Sequence, residues 1–171
     1  MRVRLIAGAA AAIVVVGTVA VTVYDRLTQP QATVFDAVTL HDPDDDRQVA
    51  AAADDVWHGT VQRRLGTRTI AGIPSERYEV RVGRVFKGTV AGVITVTQAA
   101  GDPLLDIGHS YVFPTVPWRE ARDGRAVLAE AQPRPAENLD VPATKRAPGE
   151  PADSTVGEHW ALVSGHPPPA A

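Results

Sequence analysis

The chain opens on an unbroken apolar run. Leu5 to Tyr24 (LIAGAAAAIVVVGTVAVTVY) carries no charged residue. Twenty residues at about 1.5 Å rise reach roughly 30 Å, the thickness of a bilayer hydrocarbon core. A polar spacer follows over 25–41, with a short apolar patch at Val34, Phe35 and Val38. HDPDDDRQVAAAADD then predicts a short helix over about 43–54. Asp42 is the expected N-cap, Pro43 fits the first helical position, and aspartates fill the first turn, where the helix dipole favours them.

From Asp55 the hydrophobic period becomes two. VWHGTVQRRL reads as a strand with Trp57, Gly59 and Val61 on one face, and GTRTIAGIPS reads as a loop. RYEVRVGRVF alternates, with Tyr78, Val80 and Val82 on one side and Glu79 and Arg81 on the other. The alternation slips at Gly83, which predicts a bulge and puts both Val85 and Phe86 in the interior. Lys87-Gly88 is a turn and GVITVTQ the next strand, a hairpin signal. AAGDPLLDIGH is a loop expected to tuck Leu104, Leu105 and Ile107 beneath the strands. SYVFPTV is a strand stopped by Pro114 and Pro117. A polar turn at 119–124 leads into RAVLAEA, the fifth strand. Five short strands separated by turns read as a mainly β domain, a small sandwich or barrel, over 42–131. Residues 132–171 are Pro-rich and irregular, with a short helix expected over 153–163. Asp153 or Ser154 would cap it, Trp160 and Val163 would face the domain, and Gly157 weakens it. The end, HPPPAA, reads as disordered.

Charge changes the picture at the N-terminus. Arg2 and Arg4 are the only charged residues before Asp25, and by the positive-inside rule they stay cytoplasmic while the remainder is translocated. The segment 1–24 is therefore expected to be a transmembrane anchor, giving a single-pass cell-membrane protein with its C-terminal domain outside the cytoplasm. The alternative is a signal segment cleaved near Thr18-Val19-Ala20, which would give a secreted protein. The absence of a polar stretch before Tyr24 favours the anchor. Gly8 and the alanines after it form a small-residue face of the kind that packs transmembrane helices. Without Arg2 and Arg4, 15 basic face 20 acidic side chains, a net charge of −5. That balance gives no electrostatic footprint for nucleic acid. Cysteine is absent, which excludes disulfides, thiolate metal sites and thiol chemistry.

ADDVWHGTV, RYEVRVGRVFKG, VITVTQ and GHSYVF together resemble TIMP-like and netrin-like (NTR) domains. The matching elements are Ala53 to Val61, Arg77 to Gly88 and Gly108 to Phe113. The resemblance implies a five-stranded OB-like Greek-key barrel with flanking short helices, preceded by one N-terminal transmembrane helix. It is to a Cys-free, membrane-anchored, actinobacterial-like version of the domain. Inhibitors in that family chelate a protease zinc through a free N-terminal Cys. This chain has none, so that mechanism does not carry over, and the family supplies no functional residue.

Candidate chemistry is sparse. The histidines are His41, His58, His109, His159 and His166, and no two have metal-ligand spacing on one element. The serines, Ser75, Ser110, Ser154 and Ser164, include no nucleophile elbow. Asp44-Asp45-Asp46 lacks the alternating ligands, Gly and Glu of a calcium loop and reads as a helix start. Asp54-Asp55 reads as a solvated pair. Arg63, Arg64, Arg77, Arg81 and Arg84 cluster on the first strands and read as a solvated face. No catalytic, metal or cofactor-binding residue is assigned, and no cofactor is expected. The expected function is a membrane-anchored, extracytoplasmic, non-enzymatic binding module, attached through residues 5–24 and meeting a protein or cell-envelope partner. An envelope hydrolase using His58 or His109, or a structural accessory subunit of a membrane complex, are the alternatives.

Overall fold

A computed structural model of the protein describes residues 41–118, 124–128 and 130–165. The apolar segment at 5–24, the spacer up to residue 40, most of the turn at 119–124, His166 and the terminal tail lie outside the described residues. Among the described residues no helix is long and apolar enough to cross a membrane.

The first helix, α1, spans Asp46–Ala52. It starts later than the pattern predicted, and its N-cap is Asp45 rather than Asp42. The Asp45 Oδ1 accepts the backbone N–H of Arg47 (2.9 Å) and of Gln48 (3.4 Å), satisfying donors a helix start leaves free. Asp42 instead turns the chain locally, accepting the Asp44 N–H at 2.9 Å.

Strand β1 (Asp55–Ile70) and strand β2 (Ile73–Lys87) form one long antiparallel hairpin. The stretch expected to be a loop, GTRTIAGIPS, is the distal half of that hairpin. Only Ala71 and Gly72 turn, with φ of 50° and 82°, the two positive values a tight two-residue hairpin needs. The β-branched residues Thr67, Thr69, Ile70 and Ile73 extend the strands up to that turn. The expected bulge is present: His58 pairs with Arg84 and Gly59 with Val82, so Gly83 has no opposite residue. Beyond it Phe86 is buried while Val85 is 38% exposed, a correction to the expectation that both were interior. A second register shift follows, with Trp57 opposite Val85 and Val56 opposite Lys87, and Phe86 lies between them.

Strand β3 (Val93–Ala99) follows a short turn and pairs with β2. Strand β4 (Ser110–Pro117) runs straight through Pro114, which was expected to stop it. Pro114 sits opposite Val56 while pairing continues at Asp55 and Thr115, so its missing N–H does not end the ladder. Strand β5 (Gly124–Val127) pairs antiparallel with β4 and parallel with β3. A two-residue strand β6 (Arg134–Pro135), in a segment read as irregular, adds to β4. Among the described residues the protein is thus mainly β, with a six-stranded rather than five-stranded sheet and two short helices. The pairings run β1-β2-β3-β5-β4 and return from β4 to β1.

The second helix, α2, spans Val156–Val163. Thr155 caps it, not Asp153 or Ser154. Thr155 Oγ1 accepts the Glu158 N–H (3.2 Å) and the Glu158 carboxylate accepts the Thr155 N–H (2.8 Å), a reciprocal capping box. Gly157 earns its helical place by packing: a Cβ there would lie 3.0 Å from the Arg84 guanidinium and 3.3 Å from Leu139.

Two cores result. Trp57, Val61, Tyr78, Val80, Val96 and Phe113 fill the interior of the strand layer. Trp57 stacks on Phe113 at 4.7 Å, and its indole N–H donates to Thr115 Oγ1 at 3.0 Å. Val56, one residue from Trp57, faces the other way, into a second core. There Ala50 and Ala53 meet Phe86, Val112, Ala136 and Trp160. Residues 132–165, expected to be an irregular Pro-rich stretch with one helix facing the domain, help to cover the outer face of β1 and β4. In the connection between β3 and β4 only Leu105 is buried. Leu104 and Ile107, expected to tuck under, are 53% and 60% exposed.

The residues that carried the family resemblance have structural work. Lys87 Nζ donates to the carbonyls of Ala50, Ala51 and Ala53 at 2.8, 3.2 and 2.6 Å, closing the C-terminus of α1, where a cation is favoured. Asp55 is buried rather than solvated, accepting from Arg125 Nε (2.7 Å) and the Thr89 N–H (3.2 Å). Gly88, at φ +88°, leaves no room for a side chain, because an added Cβ would run into that carboxylate. The Tyr111 hydroxyl accepts the Asp106 N–H at 3.1 Å.

Candidate functional site

The residues singled out in the sequence are placed as follows. His58 Nε2 lies 2.9 Å from the Ala136 carbonyl oxygen, and so donates to it. His109 Nδ1 lies 2.6 Å from Glu137 Oε1 on the surface. The neighbouring Ser110 hydroxyl bonds to Thr60 Oγ1 at 2.8 Å. His58 and His109 therefore meet a carbonyl and a carboxylate, not a hydroxyl nucleophile. Among the described residues no group of three or more His, Asp or Glu is arranged to hold a metal ion.

Much of the arginine cluster is neutralised within the sheet. Arg63 forms a two-pronged pair with Glu79 (2.7 and 2.6 Å), and Arg64 one with Glu76 (2.8 and 2.8 Å). Their guanidinium groups hold both carboxyls below the usual range. The Gln62 amide, in the orientation that satisfies both its ends, accepts from Arg81 at 2.8 and 3.0 Å. Arg84 lies over the Phe86 ring at 5.3 Å. These cross-strand contacts follow from register, since Arg63 sits opposite Glu79.

The constellation that sequence reasoning missed surrounds His159. This side chain, on the buried face of α2, is 5% exposed. Its Nδ1 lies 2.8 Å from Glu150 Oε2 and its Nε2 3.3 Å from Asp46 Oδ2. Asp46 belongs to α1 and Glu150 to the Pro-rich loop before α2, so the contacts span up to 113 residues of sequence. Both carboxylates are acceptors, and an imidazole donates from both nitrogens only when protonated. Burial by itself would oppose that charge. The hydrogen bonds to Asp46 and Glu150, with their negative charges, outweigh it and raise the pKa of His159 above its ordinary value.

The carboxylates respond in kind. Burial pushes Asp46 upward, but the His159 hydrogen bond and the charges of Arg134, His159 and Lys145 bring it below its usual value. Burial likewise pushes Glu150 upward. The Ala147 N–H at 2.7 Å, the His159 contact and Arg146 lower it overall. Arg134 Nε stands 3.5 Å from Asp46 Oδ1. The His159 and Trp160 rings stand nearly perpendicular, with centroids 5.7 Å apart and an interplanar angle of 81°.

A cleft of ≈ 420 Å³ opens beside the cluster, between Arg47 and Lys145, with His159 and Asp46 in its wall. While it is protonated, the ring offers no lone pair to a proton or a metal. The arrangement ties elements together electrostatically. A sequence signal existed only in part. His159 precedes Trp160 on the apolar stripe of α2, but nothing local pointed to Asp46 or Glu150.

No protein-family model matches this chain, and no curated protein does.

Proposed function

We propose that the chain is a membrane-anchored, extracytoplasmic, non-enzymatic binding module built on an OB-like Greek-key barrel of TIMP-like or netrin-like type. In support of the barrel, the strand pairing returns from β4 to β1 and includes one parallel contact, β3 with β5. The apolar run at 5–24 with Arg2 and Arg4 before it supports the anchor. The ligand is a protein or a component of the cell envelope.

The observation that carries the binding reading is the connection between β3 and β4. It is held rigidly: the Tyr78 hydroxyl accepts the Leu105 N–H (3.3 Å), the Tyr111 hydroxyl accepts the Asp106 N–H (3.1 Å), and Gln98 Nε2 donates to the Pro103 carbonyl (2.7 Å). Yet this pinned loop presents Leu104 and Ile107 to solvent. Apolar side chains displayed on an ordered support stay hydrated and contribute no burial within the monomer; a partner that covered them would supply it.

Photo-crosslinking in intact membranes tests the proposal. Photoreactive residues placed at 104 and 107 should give the same discrete adduct, absent from a control at Asp140. A chain that fractionates as a soluble cytoplasmic protein, or that gives no adduct from either position, overturns the reading.

A further inference from the structure

The loop 144–153 is closed at its base and clasped at its far side. At the base, Pro142 bridges Thr155 and the Ala143 N–H donates to the Ser154 carbonyl at 2.9 Å. Beyond the base most of the loop is solvent-exposed. Three polar links hold it down: Glu150 to His159, Arg47 Nη2 to the Pro148 carbonyl (2.8 Å), and Lys145 Nζ to the Asp44 carbonyl (3.2 Å). Of these only the first is buried, and only there is the loop side chain, Glu150, fully enclosed. A segment held mainly by exposed polar contacts opens at low free-energy cost, independently of the sheet.

We propose that His159, Glu150 and Asp46 form a pH-operated clasp that holds the loop 144–153 against α1 and α2 and releases it as the surroundings become alkaline. The groups facing the imidazole come from every element packed on it. Asp46 comes from α1 and Glu150 from the loop. Arg134 of β6 reaches Asp46, Lys145 and Arg146 of the loop lie near the two carboxylates, and the Trp160 ring stands nearly perpendicular to the imidazole. While the ring is protonated, each nitrogen donates to a carboxylate. Loss of a proton turns one nitrogen into a lone pair facing a buried carboxylate, which loses that hydrogen bond and its partner charge at a cost in stability.

The direction follows from linkage. His159 is raised above 6.5, so its contribution is complete below that value and disappears as pH climbs through the folded-state midpoint. Asp46 and Glu150 are lowered from 3.8 and 4.5, so theirs is complete above those values and is lost only in stronger acid. The clasp is closed between these limits. The inference does not depend on the binding-module reading.

The test joins two readouts on the full chain. Nitrogen-15 spectra of the His159 ring give its midpoint and should show both ring N–H groups below it. Tryptic cleavage after Lys145 and Arg146, referred to the same protease on an unstructured peptide, reports loop opening. The midpoint should lie above 6.5. Relative cleavage should rise about tenfold for each pH unit that separates the folded midpoint from that value. Glu150→Gln keeps the volume but removes the charge, so it should lower the midpoint and speed cleavage at neutral pH. His159→Gln should be cleaved rapidly at every pH. A His159 midpoint at or below 6.5, or cleavage that stays level through the midpoint, overturns the proposal. If His159→Gln does not fold, Glu150→Gln decides alone: an unchanged midpoint and cleavage rate refute it.

Discussion

Replacing Gly88 by Ala should be far more damaging than its place in a surface turn suggests. Gly88 has φ +88°, and a Cβ there would stand 2.8 Å from Asp55 Cγ and 3.0 Å from Asp55 Cα. The second atom is backbone, so a side-chain rotation alone does not relieve the clash. Left-handed strain costs an L-residue roughly 1–2 kcal/mol. Displacing Asp55 costs more, because its carboxylate is 6% exposed and relies on Arg125 and the Thr89 N–H. Removing the partners of a buried charge costs about 3–5 kcal/mol. Arg125 is 29% exposed, so solvent screens the pair and the lower end applies. The expected loss is about 4–5 kcal/mol, much of the 5–15 kcal/mol that holds a typical domain together. Gly92→Ala is the control. It has φ +73° with nothing within 4 Å of a Cβ, and should show the strain alone. Urea unfolding of the two variants, followed by tryptophan fluorescence, measures the difference. If they differ by less than about 1 kcal/mol, the Asp55 argument is wrong, because strain is common to both.

Two further outcomes follow from the same packing. Lys87→Met keeps the alkyl stem but removes three donors from the end of α1, and should cost about 1.5–3 kcal/mol; faster amide exchange at Ala53, with little change in β3, is the expected signature. Gly59→Ala would set a Cβ 2.6 Å from Trp57 Cζ3 and 2.7 Å from the Arg81 carbonyl. It should lower thermal stability by an amount equivalent to about 1–3 kcal/mol of overpacking, and a variant that melts with the native protein would show that this face of β1 is looser than described.

Most of the strands were legible because their determinants are local. Alternation marked Tyr78, Val80 and Val82, and the phase slip marked the bulge at Gly83. The short helices were legible in existence but not in their caps. Several residues near each start can accept the free N–H groups, and the choice of Asp45 over Asp42, or Thr155 over Ser154, depends on where the chain must enter its packed position. Leu104 and Ile107 were misjudged because hydrophobicity alone does not say which of three neighbouring apolar residues a turn can point inward. Leu105 is the one whose N–H reaches the Tyr78 hydroxyl.

By itself, then, the sequence determined the mainly β character, the order of strands β1 to β5, the two helices, and the absence of thiol chemistry. Periodicity, turn residues and composition act over a few positions, and their physics needs no partner from elsewhere. Only the tertiary structure decided how long the first hairpin is, that the strands return from β4 to β1, and that Arg134–Pro135 adds a sixth strand. The expectation of a membrane-directed start rests on the sequence of residues 1–24 alone, which lie outside the described residues. The clasp around His159 is the clearest tertiary product. Asp46, Glu150 and His159 are unremarkable separately, and an imidazole acquires a stabilised charge only where folding brings two buried carboxylates to its two nitrogens.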